Sequence, residues 1–316
     1  MKESDEFLIL KKYFNNLGSQ YNDSSNIVIG PGDDAGLFLA NKSDLIFSTD
    51  VSNSDVHFPK SLAPDLIAYR ACSVAVSDIP ACGGTLKWLS VSLVTPSREI
   101  AWLKNFARGL RLFTKTYKVP IIGGDLVKGK ECSVSVGVCG EVDRNQFLPR
   151  NGAKIGDSIY VSGTLGIAKL GLKVIKSKKK ALNSTEKKYR NKFLKPKIHT
   201  ELGKNLRGIA NSCIDISDGL IGDLGHICKQ SNLGAKIFFD LIPHEGSFKD
   251  ALTWGDDYEL CFTVPKHKET QLDEVFKRVK IKKYRIGEIT NEKRIKIFQG
   301  TKEIHLNRKS YNHFGK

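Results

Sequence analysis

The sequence predicts an α+β protein made of two mixed α/β domains, and three observations support this fold class. The chain has 316 residues, 40% of them hydrophobic, which is enough for two separate cores. Helical and strand-like patterns alternate in both halves without a repeat or a low-complexity segment. A polar, glycine-rich stretch at 147–156 separates the halves, so we expect domains at 1–148 and 149–316.

The sequence of the first half predicts helices that alternate with strands. Phe7, Leu10, Phe14 and Leu17 recur at helical spacing behind an acidic cap, which indicates an amphipathic helix at 4–17. Pro64 suits the first turn of a helix, because a backbone N–H at that position would have no intrahelical acceptor in any case. The remaining expected elements are strands at 27–29, 35–40, 45–48, 89–94, 119–122 and 132–142, and helices at 64–76 and 97–117.

The second half continues the same alternation. We expect strands at 158–161, 213–216, 235–239 and 260–264, helices at 163–175, 198–210 and 220–230, a helix ending near 279, and short terminal strands. Mixed helices and strands in both halves are typical of an α+β protein.

The cysteine content and hydropathy indicate a soluble protein of the cytoplasm. The seven cysteines are odd in number, fall in apolar runs and never form Cys-x-x-Cys, so we interpret them as reduced core residues. No window of eighteen apolar residues occurs, and the start of the chain is unlike a signal peptide. We therefore expect neither a membrane span nor disulfides.

The formal charge of +16 raises the question of nucleic-acid binding, because lysine and arginine neutralise phosphates. Much of the excess lies in the basic segment 173–197, which has a single acid, Glu186. Few aromatic side chains alternate with these lysines, so no platform for stacking bases is visible. We interpret the segment as a solvated helix and loop, and a basic nucleic-acid-binding protein stays an alternative that we do not expect.

Five acidic clusters are the most informative feature of the sequence. Each lies beside Gly, Ser or Thr at the end of an apolar segment, without a neighbouring base; they are Asp33-Asp34, Ser48-Thr49-Asp50, Ser77-Asp78, Gly123-Gly124-Asp125 and Asp215-Ile216-Ser217-Asp218. A turn or a helix cap explains any one of them. Five together favour Mg²⁺, which takes carboxylate and hydroxyl oxygens and is completed by substrate phosphates. We therefore expect the clusters to meet at one metal–phosphate site.

Two of these clusters also suit a phosphate. Asp215 and Asp218 are three residues apart, a spacing that places both carboxylates on one side of a helix start. That start offers backbone N–H groups to an anion. The glycines before Asp125 allow the backbone to approach a ligand closely.

A dinucleotide fingerprint is a competing interpretation of the first cluster. Gly30-x-Gly32-x-x-Ala35 matches the residue pattern of the fingerprint. Asp50 lies about 20 residues further on, where the acid that binds the ribose is expected. However, Asp33 and Asp34 would occupy the turn that a pyrophosphate needs, and a strand follows where a helix should begin. A Rossmann dehydrogenase stays a minor alternative, and the absence of a Gly-x-x-x-x-Gly-Lys-Ser/Thr motif disfavours a P-loop kinase.

Taken in order, these motifs resemble those of the thiamine-monophosphate kinases, in the superfamily that includes aminoimidazole ribonucleotide synthetase. The resemblance runs through nearly the whole chain, in Gly32-Asp33-Asp34-Ala35, Ser48-Thr49-Asp50 with His57-Phe58, Ser77-Asp78, Gly123-Gly124-Asp125, Arg150 with Gly152-Ala153-Lys154-x-Gly156-Asp157, Asp215-Ile216-Ser217-Asp218-Gly219-Leu220, Asp257-Tyr258-Glu259-Leu260 and Tyr311-x-His313-Phe314. Another ATP-using enzyme of the superfamily is the nearest alternative. The related hydrogenase-maturation and selenophosphate enzymes would need cysteine or selenocysteine features that this sequence lacks.

The resemblance implies ATP-dependent phosphorylation of thiamine phosphate to thiamine diphosphate with several Mg²⁺ ions. It implies metal ligands at Asp34, Ser48, Thr49, Asp50, Asp78, Asp125, Asp215 and Asp218, among which Asp34, Asp50, Asp78 and Asp218 are expected to be catalytic. It implies ATP contacts at Gly124, Asp125, Arg150 and Ser217, and thiamine phosphate contacts at His57, Asp256 and Tyr311. It also implies a homodimer joined through N-terminal sheets, with the C-terminal domain completing the ATP and substrate site.

The sequence departs from the family pattern at three places. Trp254 stands where glycine is favoured, and Asp256 replaces the usual Glu, so the contacts to the thiamine ring are the most altered part. Leu126-Val127-Lys128 replaces the Thr-Thr-Arg that commonly follows Gly-Gly-Asp. None of these changes affects the expected metal carboxylates.

Overall fold

The structure is a computed structural model and describes residues 12–14, 16–29, 37–38, 43–306 and 310. The chain divides into two compact units. Unit 1 contains the described residues up to Ile79 together with Thr85–Arg144, and unit 2 contains Pro80–Gly84 and the described residues from Asn145 onward. The domain boundary predicted after residue 148 stays a prediction.

Unit 1 is built on a four-stranded sheet in the order β3-β6-β4-β5. Its strands are β3 (Asp44–Asn53), β4 (Thr85–Thr95), β5 (Ile121–Lys128) and β6 (Ser133–Val142), and a separate pair is formed by β1 (Ile27–Ile29) and β2 (Leu37–Phe38). Only β4 and β5 pair in parallel within the four-stranded sheet. This pattern differs from the parallel sheet of a doubly wound dinucleotide-binding domain, so the described part of unit 1 argues against the dehydrogenase alternative.

Helices cover one face of the unit 1 sheet. They are α1 (Pro64–Val76) and α3 (Ile100–Tyr117). Elsewhere, the short α2 (Asp78–Ala81) directly follows α1, and 3₁₀ turns lie at Ser19–Tyr21 and Asp23–Ser25. On β6, Val134, Val136 and Val138 are fully buried on this face. A Cβ on Gly109 would lie 2.1 Å from the carbonyl oxygen of Asp65, so α1 and α3 approach each other closely there.

The other face of this sheet carries exposed apolar side chains along β3. Leu45, Phe47 and Val51 are 46%, 65% and 48% exposed. Strand alternation separates them from Ile46, Ser48, Asp50 and Ser52, which point to the helix-covered face. Large apolar side chains in a row on one exposed face are typical of a surface that another protein covers.

Unit 2 is built on a seven-stranded sheet in the order β13-β12-β9-β11-β7-β10-β8. Its strands are β7 (Ser158–Val161), β8 (Ser212–Asp215), β9 (Gly234–Phe238), β10 (Leu260–Val264), β11 (Tyr284–Thr290), β12 (Ile295–Gln299) and β13 (Lys302–Ile304). The β9–β12 pair is parallel and the other pairs are antiparallel.

Six helices accompany the unit 2 sheet in the described part of the chain. They are α4 (Ile167–Lys176), α5 (Ser184–Leu194), α6 (Thr200–Leu206), α7 (Leu220–Gln230), α8 (Phe248–Thr253) and α9 (Glu269–Val279), with 3₁₀ turns at Phe239–Leu241 and Lys266–Lys268. Both faces of the sheet are covered. Ile159 and Val161 lie in one core with Leu224 of α7, and Tyr160 and Phe262 lie in the other with residues of α6 and α9.

The predicted fold class is confirmed, with two strands longer than expected. Ser48-Thr49-Asp50 lies inside β3, because β3 pairs with β6 over its whole length from Asp44 to Asn53. Gly123-Gly124-Asp125 likewise lies inside β5, because the pairing with β4 continues to Lys128. The strand ends expected at residues 48 and 122 are therefore wrong.

Other expectations have mixed outcomes. The sequence pattern missed the short helix α8. The predicted helix at 4–17 lies mostly outside the described residues, and residues 30–34, with the first acidic cluster, lie wholly outside them. All seven cysteines are free thiols, five of them buried, which agrees with reduced core residues. No helix within the described residues is both long enough and apolar enough to span a membrane.

Candidate active site

Two of the predicted metal ligands of unit 1 touch each other. The Oγ of Ser48, on β3, donates a hydrogen bond to Oδ2 of Asp78 at 2.5 Å. Asp78 is the first residue of α2, where a carboxylate also benefits from the helix dipole. Asp50 follows Ser48 by two residues on the same strand face, a spacing of roughly 7 Å. The helix-covered side of the sheet thus gathers Ser48, Asp50 and Asp78.

The register places the other two described ligands of unit 1 differently. Thr49 is paired with Gly137 and lies exposed on the opposite face of β3. Asp125 is paired with Ser92 and is also exposed, and its Oδ1 accepts a hydrogen bond from the Leu126 N–H at 2.8 Å. A Cβ on Gly124 would lie 1.9 Å from the carbonyl oxygen of Val91, so only glycine fits there.

In unit 2, the turn after β8 holds the second set of acids. Asp215 is 3% exposed at the end of the strand, and Ser217 and Asp218 are half-buried just before α7. Asp223, on the first part of α7, was not predicted as a site residue. Its Oδ2 accepts hydrogen bonds from the N–H groups of Asp218 and Gly219, both at 3.1 Å. Two of the amides expected to be free for a phosphate are therefore occupied.

The acids of this turn repel one another. Burial raises the pKa of Asp223 to about 8, with further contributions from the negative charges of Asp215 and Asp218. The two N–H hydrogen bonds lower this pKa and offset only part of the effect. A bound cation would relieve the repulsion, so the oxygen-only donors here fit a hard divalent ion such as Mg²⁺.

The raised pKa of Asp223, caused first by burial and then by the neighbouring acids, predicts how the stability of the metal-free protein depends on pH. The folded protein keeps the Asp223 proton up to a pKa of about 8, whereas the unfolded chain releases it near the ordinary value of 3.8. Stability is therefore lost as the pH rises from about 4 through 8. Urea unfolding in EDTA should show that Asp223→Asn loses less stability than the wild type between pH 6 and pH 9. Equal losses of stability in the two proteins would contradict the raised pKa of Asp223.

A strained segment lies against the same turn. Gly255, Asp256 and Tyr258 have φ values of 82°, 65° and 50°, in the left-handed region that non-glycine residues adopt at a cost of about 1–3 kcal/mol each. The N–H of Asp256 donates to the carbonyl of Ser217 at 2.8 Å. The structure thus brings together a residue expected to contact ATP and one expected to contact thiamine phosphate.

Two buried carboxylates anchor this segment. Asp257, 1% exposed, accepts hydrogen bonds from the N–H groups of Gly166 at 2.7 Å and Ala168 at 3.2 Å, at the start of α4. Burial raises the pKa of Asp257 to about 7, although the Lys192 charge and these bonds oppose it. The two hydrogen bonds of Asp257 therefore connect the strained segment to the backbone at the start of α4.

Glu259 is the second anchor and forms a buried network. Its carboxylate accepts from Ser162 Oγ at 2.6 Å and from Lys192 Nζ at 2.5 Å, and it lies 2.7 Å from Nε2 of His199. Burial by itself would raise the pKa of Glu259, but Lys192 and His199 outweigh this effect and lower it. Neither anchor was predicted as a site residue, although both stand in the motif that carries the resemblance.

Most basic side chains of the segment 173–197 are exposed, as expected for a solvated helix and loop, but three lysines have specific partners. Lys192 belongs to the buried network, and Lys179 and Lys188 form ion pairs with Glu186 at 2.8 Å and Glu245 at 2.6 Å. An Asn183–Glu186 capping box begins α5 inside this segment. Part of the segment therefore stabilises unit 2, which weakens the nucleic-acid interpretation.

The remaining predicted site residues have individual placements. Arg150 is exposed in unit 2. In unit 1, Nδ1 of the half-buried His57 accepts the Asn53 N–H at 3.0 Å, so its other ring nitrogen carries the proton in the neutral form. Lys169 Nζ lies 3.9 Å from the ring centroid of Trp254. Asp34 and Tyr311 lie outside the described residues.

The described residues hold no complete metal cage. Within them, no group of three or more His, Cys, Asp or Glu side chains is arranged to bind a metal ion. Mg²⁺ is usually held by one or two carboxylates, with waters and substrate phosphates completing its shell. The arrangement in each unit is compatible with that mode of binding.

Comparisons with known proteins show the family of this chain. Residues 32–142 match the AIR synthase related protein, N-terminal domain, and residues 154–300 match the corresponding C-terminal domain. A thiamine-monophosphate kinase of Buchnera aphidicola subsp. Schizaphis graminum (strain Sg) is 37% identical, and the match covers 99% of each chain.

Two solved structures are similar over nearly the whole chain. The crystal structure of thiamine-monophosphate kinase from Stenotrophomonas maltophilia K279a has a TM-score of 0.84 at 31% identity, covering 92% of this chain and 95% of that one. AaThiL complexed with AMPPCP and TMP has a TM-score of 0.78 at 29% identity, covering 94% and 95%. The chain therefore belongs to the thiamine-monophosphate kinase family.

Proposed function

We propose that this chain transfers the terminal phosphoryl group of ATP to thiamine monophosphate, forming thiamine diphosphate and ADP. The observation that supports this most strongly is the 37% identity to a thiamine-monophosphate kinase over 99% of both chains. AaThiL, bound to AMPPCP and TMP, supports the same pair of substrates because AMPPCP is an analogue of ATP. The cytoplasmic location expected from the sequence belongs to the same proposal.

We propose that the site residues have the roles that the resemblance implies. Several Mg²⁺ ions are held by Asp34, Ser48, Thr49, Asp50, Asp78 and Asp125 of the first half and by Asp215 and Asp218 of the second. ATP is contacted by Gly124, Asp125, Arg150 and Ser217, and thiamine monophosphate by His57, Asp256 and Tyr311. Bound Mg²⁺ would neutralise negative charge on the phosphates of the two substrates. The hydrogen bond from Ser48 supports this assignment because it orients the Asp78 carboxylate beside a second expected oxygen ligand.

The chemistry requires positioning more than proton transfer. A phosphate monoester has a second pKa of about 6, so the attacking oxygen of thiamine monophosphate is already ionised at pH 7. The protein must overcome repulsion between two polyanions, which the metal-binding carboxylates and the guanidinium of Arg150 accomplish by orienting the groups and stabilising charge. We propose direct in-line transfer without a covalent phosphoenzyme.

We further propose that the chain forms a homodimer through the exposed face of the unit 1 sheet. Leu45, Phe47 and Val51 supply an apolar row on β3, and Val127 on β5 is 45% exposed. Burying such side chains against a second copy stabilises association by removing apolar area from water. The ring of Phe47 lies 6.4 Å from that of Trp88, which extends the apolar surface to β4.

Phe47→Lys should dissociate this dimer. Placing an ammonium among the apolar side chains of this face costs several kcal/mol when a second copy covers it, so we expect a monomer at micromolar concentration. Sedimentation velocity compares the variant with the wild type and with Leu241→Lys, which alters an equally apolar side chain, 53% exposed, in unit 2. A wild-type monomer, or a Phe47→Lys protein that stays dimeric, contradicts the proposed interface.

The proposed activity is tested by ADP release in a coupled assay. Thiamine monophosphate should stimulate ADP release strongly in the presence of Mg²⁺, whereas unphosphorylated thiamine should not. Stimulation by a different acceptor would identify another ATP-using enzyme of the superfamily. If folded protein releases no ADP with thiamine monophosphate, the proposed function is wrong.

A further inference from the structure

We infer that Asp223 is a positioning residue that fixes the 216–219 turn, and through it the direction of the Asp218 carboxylate. The 216–219 turn comprises Ile216–Gly219, between β8 and α7. Asp223 is 2% exposed, so its carboxylate has almost no access to a ligand. Its effect on binding must therefore pass through the backbone that it holds. The inference rests on the function proposed above.

The hydrogen bonds of Asp223 connect it to the turn at three points. Its Oδ2 accepts from the N–H of Asp218 and from the N–H of Gly219, each at 3.1 Å. Its own backbone N–H donates to the carbonyl of Gly219 at 3.0 Å. Both backbone groups of Gly219 are thus bonded to the same residue, which fixes the orientation of the peptide unit that follows Asp218.

The opposite side of the turn is closed by the chain at 253–258. The N–H groups of Asp256 and Tyr258 donate to the carbonyls of Ser217 and Ile216 at 2.8 and 2.9 Å. A Cβ on Gly219 would lie 2.8 Å from the carbonyl carbon of Thr253. The turn is therefore held between this segment and Asp223, and losing either side frees it to move.

The proposed consequence concerns metal and nucleotide binding. Asp218 is assigned as a Mg²⁺ ligand and Ser217 as an ATP contact, and both belong to the turn. Side chains that orient metal ligands usually change metal affinity by about 10–100-fold when they are removed. Removal of the Asp223 acceptor should therefore weaken Mg²⁺-dependent binding without deleting any ligand.

Two substitutions test the acceptor role of the Asp223 side chain. Asp223→Asn keeps one oxygen that can accept both N–H groups, and Asp223→Ala keeps none. Asp240→Ala is the matched control, because Asp240 Oδ2 also accepts a backbone N–H in unit 2, that of Gly300 at 2.7 Å, but does not touch the turn. Circular dichroism melts confirm that each variant is folded at the assay temperature.

The test measures Mg²⁺-dependent binding of AMPPCP by calorimetry and, separately, the Mg²⁺ concentration that gives half-maximal kinase activity. In Asp223→Ala we expect AMPPCP affinity to fall by at least about tenfold and the Mg²⁺ requirement to rise by a similar factor. Asp223→Asn should recover most of both losses, and Asp240→Ala should match the wild type.

The outcomes distinguish this inference from the function on which it rests. If wild-type protein binds AMPPCP but phosphorylates no thiamine monophosphate, the proposed function is wrong. The AMPPCP affinities of the variants then still test the positioning role. If Asp223→Ala binds AMPPCP like Asp240→Ala, the positioning role is overturned. A loss in Asp223→Asn as large as in Asp223→Ala also overturns it, because the acceptor oxygen that Asn keeps would then have no effect.

Discussion

Asp78→Asn is expected to lower kcat/KM for phosphoryl transfer by at least about 100-fold, or roughly 2.7 kcal/mol of transition-state stabilisation. The amide keeps the size of the side chain and an oxygen that can accept the Ser48 hydrogen bond. It removes the negative charge that we assign to metal binding. The variant should therefore fold like the wild type and fail in catalysis, as steady-state kinetics over a range of Mg²⁺ concentrations would show.

Asp65→Asn provides the matched control for this prediction. Asp65 also lies at a helix start in unit 1, but its carboxylate pairs with Arg108 at 2.9 Å on the surface. We expect its kinetics to stay within about twofold of the wild type, since exposed ion pairs contribute at most about 1 kcal/mol. An Asp78→Asn enzyme with near-normal kcat/KM would remove Asp78 from the metal site.

Glu259→Ala is expected to destabilise unit 2 by about 3–5 kcal/mol. Removing this carboxylate leaves the ammonium of Lys192 and the ring of His199 in a buried site without their acceptor, and these side chains are 15% and 5% exposed. Glu259 directly follows the strained residues Gly255, Asp256 and Tyr258, which lie against the 216–219 turn. Activity should therefore also fall at temperatures where the variant is still folded. Urea unfolding and kinase assays at low temperature measure the two effects.

The Glu274–Lys277 pair shows how much of this loss depends on burial. Its carboxylate–ammonium distance of 2.8 Å is similar, but the side chains are 61% and 73% exposed. Glu274→Ala should change stability by no more than about 0.5 kcal/mol. Combining Glu259→Leu with Lys192→Met should recover part of the loss, because no buried ammonium is then left unpaired. Equal effects of Glu259→Ala and Glu274→Ala would contradict the assigned role of the network.

Local sequence signals predicted several elements to within a residue. The bounds of α1 were predicted because Pro64 marks its first turn and a Ser-Asp pair follows its last residue. The bounds of α7 were predicted because Gly219 precedes an apolar helical pattern. Signals of this kind lie inside the segment that they describe, so they can be read without knowing the tertiary structure.

The extent of the strands depended on distant partners. β3 extends beyond its apolar residues because β6 supplies hydrogen bonds up to Asn53. The Ser48–Asp78 contact joins residues 30 positions apart, and the sequence suggested only that both belong to one site. Propensity could not show that a polar serine and aspartate would continue a strand, since pairing outweighs intrinsic preference.

The residues that support the site were the hardest to predict. Lys192 and Glu259 are 67 positions apart, and Lys192 stands among many lysines of similar appearance. Asp223 looks like an ordinary acid in the first turn of a helix, where the dipole favours it. Its role depends on the path of the 216–219 turn, which no local pattern specifies.

Transfer of radiolabel from ATP tests the central claim most directly. Wild-type protein incubated with thiamine monophosphate, Mg²⁺ and ATP labelled at its terminal phosphate should yield thiamine diphosphate labelled in its terminal phosphate. One ADP should form for each labelled product, and chelation by EDTA should abolish both. Folded protein that releases the label only as inorganic phosphate, or leaves it in ATP, would contradict the account.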